Sequence, residues 1–392
     1  FYRVKGGRWM RYLSAAEIAK KWDVSERSVR NYCAHGRVPG AFITGKTWNI
    51  PENAKKPERS NKKKEKKRRY RLFYLLLLLL ITTLSLSVSS YAWFTTNRLV
   101  RVDLLNVNVR AQGGIEISVD GTNWKSSVSV DDIITASDTY PTNTNQIPQT
   151  LEAVSTVGKI DNGKIAIYHG NAVNNAAGNY VLETTRSIEV ASAGENSPGK
   201  FITFDLFLKT NNNTQLYLTP ESNATYGGNK SVGIENAVRF AFVEEGTTFT
   251  GAPLGTIQSM TTSDQSKVHI WEPNYDTHTE YGIENARDVY QMNITSPSEP
   301  LNYDGVLNEI PKIAGVTTNN ASENKYPMYF QRVNIDYYTK NNFDNNVQIF
   351  SINSGITKIK VYMWIEGQDV DCENNAAIGN VALNLSFSTN PA

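Results

Sequence analysis

The chain has 392 residues, 40 Lys and Arg against 38 Asp and Glu, a net charge of only +2, and two cysteines. That length suffices for about two or three domains with their own cores, and two cysteines exclude a disulfide-rich scaffold. The small net charge hides an asymmetry. Residues 1–71 hold 21 basic and 6 acidic side chains, a net +15, so the remainder carries −13. This split indicates a basic part that meets a polyanion and an acidic part in a different setting.

The first nine residues allow two interpretations. The stretch KGGRWM, Lys5 to Met10, can be back-translated into a sequence that resembles a bacterial ribosome-binding site followed by a start codon. In one interpretation residues 1–9 are an untranslated leader and the protein begins at Met10. In the other they form an ordinary loop.

Residues 10–54 have the pattern of two short helices followed by a β-hairpin. Ser14, with Glu17 three residues later, is a capping box, and apolar residues then recur at helical spacing. Ser25 can cap a second helix after the short turn DVS. The stretch AFITGKTWNI predicts two short β-strands around a turn that contains Lys46.

The predicted outward face of the second helix carries four polar side chains: Arg27, Ser28, Arg30 and Asn31. Guanidinium and amide groups can bond purine edges in pairs, so a basic second helix of this kind suits the major groove of DNA. We expect Lys46 in the hairpin, with Lys20 and Lys21, to contact phosphates. A helical module that packs against another protein is the alternative.

The segment from Tyr12 to Pro57 resembles the MerR/excisionase-like winged helix-turn-helix family. The resemblance lies in YLSAAEIAKKWDVSERSVRNYC, GRVPGAF, GKTWNIP and AKKP. It implies that this segment binds DNA and that Arg27, Arg30 and Asn31 lie on the recognition helix. It identifies no DNA target.

The junction between the basic and acidic parts has the composition of a membrane anchor. A basic juxtamembrane linker, residues 55–71, precedes 23 residues without a charge, 72–94. At ~1.5 Å per residue such a helix spans roughly 35 Å, enough for a hydrocarbon core of about 30 Å. We therefore predict a transmembrane helix, a cytoplasmic N-terminus and an extracytoplasmic C-terminal part. The basic side chains expected at membrane lipid headgroups are Lys62, Lys63, Lys64, Lys66, Lys67, Arg68, Arg69 and Arg71.

Residues 72–94 also fit a signal peptide that a signal peptidase cuts between Ala92 and Trp93. A basic start, a leucine-rich centre and the small residues of Ser90-Tyr91-Ala92 match that template. The order SYAWFTTN after such a segment resembles bacterial surface proteins of the TasA/camelysin type, which implies cleavage and release of the C-terminal part. We favour an uncleaved signal-anchor, because a signal peptide does not normally follow a folded domain.

Residues 98–392 are rich in Asn, Thr and Ser and contain short runs in which apolar residues alternate with polar ones. Period-two patterning predicts an all-β sandwich or jelly-roll-like domain. The clearest runs are FITFDLFLKT, AVRFAFVEE, KIKVYMWIEG and VALNLSFSTN. We expect LLNVNV, near the start of this region, to pair with the last strand. The long polar stretches 131–160 and 272–330 are predicted to be surface loops.

The sequence shows no catalytic pattern. It contains neither HExxH, the zinc-protease motif, nor GxSxG, the hydrolase motif. Asp369, Asp371 and Glu373 offer oxygen atoms to a Ca²⁺ ion, but their spacing matches no EF-hand loop, so an acidic loop is preferred. We predict a protein that is not an enzyme, with no catalytic residue, metal or cofactor.

These features predict a multidomain protein with a small all-α winged helix-turn-helix domain, one transmembrane helix and a large all-β exterior domain. The predicted function is that of a bacterial single-pass membrane protein, a membrane-tied transcriptional regulator. Its exterior domain would bind an unknown ligand or self-assemble. The alternative is a TasA-like secreted or surface-displayed matrix or fibre protein. In that case the helix-turn-helix segment is a passenger or an artefact of gene prediction.

Overall fold

The computed structural model divides the chain into two compact units, the N-terminal unit Phe1–Leu84 and the C-terminal unit Ser85–Ala392. Five α-helices occur in the part of the chain that the model describes, and none is longer than nine residues. Most other regular structure is β. The residues described are 2–3, 9–58, 74, 102–194, 196–227, 233–288, 292–317, 321–372 and 380–391.

The N-terminal unit mixes strands and helices. Its elements are β1 (Tyr2–Arg3), β2 (Trp9–Met10), β3 (Tyr12–Ser14), α1 (Ala15–Trp22), α2 (Glu26–Ala34), β4 (Phe42–Thr44) and β5 (Thr47–Pro51). β1 pairs with β2, and β3, β5 and β4 form an antiparallel sheet in that order. Leu13 on β3 lies opposite the fully buried Ile50 on β5. The prediction of a small all-α domain is therefore wrong, because a three-stranded sheet closes one side of the helical core.

Where the structure describes it, the C-terminal unit is predominantly β, with three short α-helices between its strands. Its helices are α3 (Val130–Thr135), α4 (Leu254–Gln258) and α5 (Glu280–Asp288). Its strands up to the middle of the unit are β6 (Val102–Ala111), β7 (Glu116–Ser118), β8 (Ser127–Ser129), β9 (Gln146–Pro148), β10 (Thr150–Leu151), β11 (Ala153–Val154), β12 (Ile160–Asp161), β13 (Lys164–Ile165), β14 (Ile167–Asn174), β15 (Tyr180–Ser187) and β16 (Ser192–Gly194). The remaining strands are β17 (Ile202–Thr210), β18 (Thr214–Leu218), β19 (Asn223–Tyr226), β20 (Val238–Thr248), β21 (Val268–Glu272), β22 (Asp304–Val306), β23 (Phe330–Arg332), β24 (Tyr337–Tyr338), β25 (Val347–Ile352), β26 (Gly355–Glu366) and β27 (Asn380–Ser388).

Two large sheets contain most of these strands. The first sheet has the order β10-β6-β27-β18-β25, with β19 beside β27 and β8 beside β6. The second has the order β16-β9-β17-β26-β20-β21-β24, with β11 beside β26 and β7 beside β17. β6 and β27 run parallel in adjacent positions, with Leu383 opposite Val107. The predicted pairing of LLNVNV with the last strand is confirmed.

The four alternating runs form β17, β20, β26 and β27, and the two sheets pack over one shared core. The apolar residue at every second position of these strands lies in that core. Its members include Phe204 and Leu206 of β17, Phe240 and Phe242 of β20, Val361 and Met363 of β26, and Leu383 and Leu385 of β27. A sandwich of two sheets satisfies this period-two pattern, because each strand turns one row of side chains inward.

The outer face of the second sheet is also covered. All twelve residues of β26 are buried, including the outward-pointing Tyr362 and Trp364. Residues from distant parts of the chain, among them Val154, Ile167 and Tyr303, pack on this face. The stretches predicted as surface loops, 131–160 and 272–330, thus contribute partly to a second apolar layer.

The predicted transmembrane helix lies, apart from Tyr74, outside the described residues, as do the basic cluster of residues 62–71 and the peptide bond between Ala92 and Trp93. Within the described ranges no helix is long and apolar enough to cross a membrane. The prediction of a single-pass membrane protein, a signal-anchor with an extracytoplasmic C-terminal part, is therefore corrected and not carried further. A mainly β architecture with short helices also gives no support of its own to DNA binding, which stays a prediction.

Candidate nucleic-acid interface

α1 begins at a complete capping box. The backbone N–H of Ser14 donates to Oε2 of Glu17 at 2.8 Å, and the N–H of Glu17 donates to Oγ of Ser14 at 3.4 Å. These hydrogen bonds satisfy backbone donors at the start of the helix and lower the pKa of Glu17. The buried face of α1 carries Ile18 and Trp22, so the helix is held by its cap and by the core.

α2 follows after a tight turn. Asp23 ends α1 in the left-handed conformation with φ 50°, and the backbone N–H of Ser28 donates to Oγ of Ser25 at 3.3 Å. Val29 and Cys33, one turn apart, are buried against α1, and burial raises the pKa of the Cys33 thiol. The opposite side of α2 therefore faces solvent.

The predicted contact residues of α2 differ in their surroundings. Arg27 and Asn31 are exposed. Arg30 is also exposed but forms an ion pair with Glu26, one turn earlier, with 2.5 Å between Nη2 and Oε1. Ser28 is half-buried, and its hydroxyl lies 2.9 Å from that of Ser25 at the start of the helix. α2 thus presents Arg27, Arg30 and Asn31 outward, whereas Ser28 belongs to the cap.

The hairpin of β4 and β5 carries the fifth predicted contact, Lys46. The two strands pair from Phe42 opposite Asn49 to Thr44 opposite Thr47. Gly45 takes a positive φ of 62° in the turn, a conformation that costs a residue with a side chain more than it costs glycine. Lys46 follows it and is exposed. The turn therefore holds one cation at the tip of the hairpin.

A short tail after β5 fixes the end of α1, a feature that the sequence patterns did not predict. Nζ of Lys21 donates to the carbonyl oxygen of Glu52 at 2.5 Å, and Nζ of Lys56 donates to that of Trp22 at 2.8 Å. Nε1 of Trp22 donates to the carbonyl oxygen of Ala54 at 3.3 Å. Lys21, predicted to contact phosphate, thus has a structural partner within the unit. Lysine-to-carbonyl bonds across 31 to 34 residues leave no periodic trace in a sequence.

The two aspartates of the acidic stretch GQDVDCENN both have basic partners within the protein. Oδ2 of Asp369 lies 2.5 Å from Nη2 of Arg239, and Oδ2 of Asp371 lies 2.8 Å from Nδ1 of His278. Both carboxylates are buried, while Glu373 lies outside the described residues. No group of three or more acidic, His or Cys side chains placed to hold a metal ion occurs in the described ranges.

Site and fold together define the N-terminal unit as a small α+β module with a basic helix surface and the C-terminal unit as a large two-sheet β-domain. No model of a protein family matches the chain, no curated protein matches it in sequence, and no solved structure matches it.

Proposed function

We propose that the N-terminal unit binds double-stranded DNA, with α2 as the helix that enters the major groove. The observation that carries this proposal is the outward face of α2. Arg27, Arg30 and Asn31 lie at spacings of three and four residues, so they share one side of the helix, opposite the buried Val29 and Cys33. Arginine and asparagine are the side chains that pair with guanine and adenine edges through two hydrogen bonds.

The charge of the unit supports the same proposal. Residues 10–58 contain nine Lys and Arg against five Asp and Glu, a net +4. A basic unit of this size gains affinity for phosphates by releasing the counterions of DNA, and that affinity falls as salt rises. Lys46 at the tip of the hairpin suits a phosphate contact beside the groove. The resemblance of residues 12–57 to MerR/excisionase-like proteins favours the same function.

The test measures binding of the full chain to a duplex selected from a random-sequence pool, by fluorescence anisotropy across a salt series. We expect Arg27→Ala with Arg30→Ala to weaken binding by at least about tenfold, because each lost bidentate contact costs about 1–3 kcal/mol. A matched control, Arg11→Ala with Lys55→Ala, removes the same charge from exposed positions outside α2 and should retain most of the affinity.

A third variant changes affinity in the opposite direction. Glu26 holds the guanidinium of Arg30 and places a negative charge on the same helix face. Glu26→Gln should therefore strengthen binding, because Arg30 is released and repulsion from phosphates disappears. Equal affinity of the α2 variant and its control, or no DNA binding at low salt, would contradict the proposal.

A second candidate function, self-assembly of the C-terminal unit, rests on one edge strand. β25 lies at the end of the first sheet and pairs only with β18 among the described strands. Its sequence VQIFSI carries no charge and no proline. Natural sheets usually carry charged residues or proline on their edge strands, because an unprotected edge strand can pair with a strand of another chain.

The test places charges on this edge. Gln348 and Ser351 are exposed, so Gln348→Lys with Ser351→Lys should leave the fold intact and reduce association between copies of the chain. Light scattering over a concentration series measures the mass of the assembled species. An unmodified chain that stays monomeric at high concentration, or a variant that associates equally well, would rule out this edge.

A further inference from the structure

A cluster of charged side chains is buried on the outer face of the second sheet. Asp205 of β17 and Lys360 of β26 are partners across the two central strands of that sheet. Around them lie Lys358, Glu189 and Glu245, and no charged side chain of this cluster is more than 6% exposed. Burying a charged side chain costs desolvation free energy unless an opposite charge lies close to it, so five buried charges in one cluster are unusual.

The two oxygens of Asp205 have different surroundings. Oδ1 lies 3.0 Å from Nζ of Lys360. Oδ2 accepts a hydrogen bond from the hydroxyl of Tyr140 at 2.8 Å and lies 3.2 Å from Nζ of Lys358. An amine thus stands on one side of the carboxyl group. A hydroxyl donor and a cation converge on the other oxygen, the arrangement that stabilises an oxyanion.

The remaining ions pair with one another. Lys358 lies 2.7 Å from Oε2 of Glu245, and Lys164 lies 3.1 Å from Oε2 of Glu189. If the charges of Lys360 and Asp205 were both lost, no buried ion would be left without an opposite charge. The same Oε2 of Glu189 lies 3.5 Å from Nζ of Lys360, within reach for proton exchange after a small movement.

We propose that Lys360 and Asp205 condense into an intramolecular amide that links β17 covalently to β26. Glu189 takes a proton from Nζ of Lys360 and passes it to Oδ1 of Asp205, and the lone pair of the neutral amine then attacks Cγ of the protonated acid. Negative charge develops on Oδ2, where Tyr140 and Lys358 hold it. Oδ1 collects two protons of the original ammonium group, one of them through Glu189, and leaves as water. In the net reaction, one ammonium group and one carboxylate give one amide and one water molecule. No oxidant or other reactant is needed.

The product suits its surroundings. A neutral amide replaces two buried ions, which removes a desolvation penalty. Oγ1 of Thr144 lies 3.1 Å from Nζ of Lys360, in position to accept the hydrogen bond of the remaining N–H. Burial keeps the site from bulk water, so the reverse hydrolysis has little water to use.

The ionisation of the site makes the reaction slow. Burial opposes the charge of Asp205, but Lys360 and Lys358 outweigh it and lower the Asp205 pKa to about 2. The pKa of Lys360 is raised, because the attraction of Asp205 outweighs burial. The reacting pair of neutral amine and protonated acid is therefore a minor form. Burial raises the Glu245 pKa to about 7, so above neutral pH this carboxylate is ionised and balances Lys358.

The test is the mass of the full chain after incubation at pH 8 and denaturation. We expect a mass one water below that of the sequence. Trypsin should then yield a branched product of peptides 201–209 and 359–392, because an acylated Lys360 is no longer a cleavage site. Separate, unmodified peptides 201–209 and 361–392 with the full sequence mass would overturn the proposal, and this readout needs no variant that must fold.

Variants distinguish the roles of the two lysines. Lys360→Arg should abolish the water loss. Lys358→Arg keeps a cation beside Oδ2 and should slow formation of the link without abolishing it. The matched control is Lys209→Arg, which lies outside the cluster, keeps a cation beside Glu116 and should form the link at the unchanged rate. Glu189→Gln should slow its appearance in a time course, with proteolytic resistance as the measure that the variant is folded. A branched peptide attached through Lys358 would also overturn the assignment of Lys360 as the nucleophile.

Discussion

At the scale of single residues, Glu366 shows how burial sets the charge of a carboxylate. It ends β26 and is fully buried. Its oxygens accept hydrogen bonds from Nε1 of Trp364 and from the backbone N–H of Gln368, each at 3.0 Å. Burial disfavours the ionised form more strongly than these hydrogen bonds support it, and the pKa rises from an ordinary 4.5 to about 7.

A raised pKa makes stability depend on pH in a defined direction. Below about pH 4.5 the carboxyl group is protonated in both the folded and the unfolded chain. Between about pH 4.5 and 7 only the folded chain binds the proton, so the free energy of unfolding falls by up to about 1.4 kcal/mol per pH unit from this group. Glu366→Gln cannot ionise and should flatten the pH dependence measured by urea unfolding between pH 5 and pH 8.

The substitution also removes one acceptor oxygen, so Glu366→Gln should be less stable than the unmodified chain at low pH, and this difference should shrink as the pH rises. The slope is therefore the informative quantity. Glu280, which is exposed on α5, provides the control, and Glu280→Gln should keep the slope of the unmodified chain. A slope in Glu366→Gln equal to that of the control would show that Glu366 is not the titrating group.

At the scale of elements, local rules predicted the structure where the determinants are close in sequence. The starts of α1 and α2 follow from their capping serines, Ser14 and Ser25. Each serine hydroxyl accepts a hydrogen bond from the backbone N–H three residues later. β17 and β26 follow from alternation, because one side of each strand faces a continuous core. The outward positions of Arg27 and Asn31 follow from the same helical spacing.

The same rules failed where the determinants are distant in sequence. In FITFDLFLKT and KIKVYMWIEG the alternation places Asp205, Lys358 and Lys360 on a side that normally meets water. The structure covers that side with Tyr140, Glu189 and other residues that are 65 to 218 positions away from their partners. No periodicity within a strand reports such a covering layer. The ion pair of Arg30 with Glu26, in contrast, has a four-residue spacing that makes it predictable.

At the scale of the whole molecule, the order of strands joins the two ends of the C-terminal unit. β27, the last of the described strands, lies between β6, the first described strand of the unit, and β18. The first sheet therefore lacks an interior strand until the end of the chain is in place. Contacts between such distant segments form late, because closing a long loop costs entropy before the contact forms.

We predict that deletion of residues 380–392 unfolds the C-terminal unit. The deletion removes four buried apolar side chains from the shared core, those of Val381, Leu383, Leu385 and Phe387. At about 1.5–3 kcal/mol for each side chain, the loss approaches the 5–15 kcal/mol that typically stabilises a folded domain. It also removes β27 as the hydrogen-bonding partner of β6, β18 and β19. Limited proteolysis followed by mass spectrometry should then detect cleavage within 201–209, a segment that is largely β17 and is buried in the intact chain.

A deletion of residues 391–392 serves as the control, because Asn390 remains and its carbonyl oxygen still accepts the hydrogen bond of Asn346. This shorter chain should keep the protection of β17. Peptides of the N-terminal unit give an internal reference, because residues 9–58 have their own core and should resist cleavage equally in both chains. Continued protection of 201–209 without β27 would contradict the prediction. It would mean that the second sheet folds without β27 and that β27 stabilises only the first sheet.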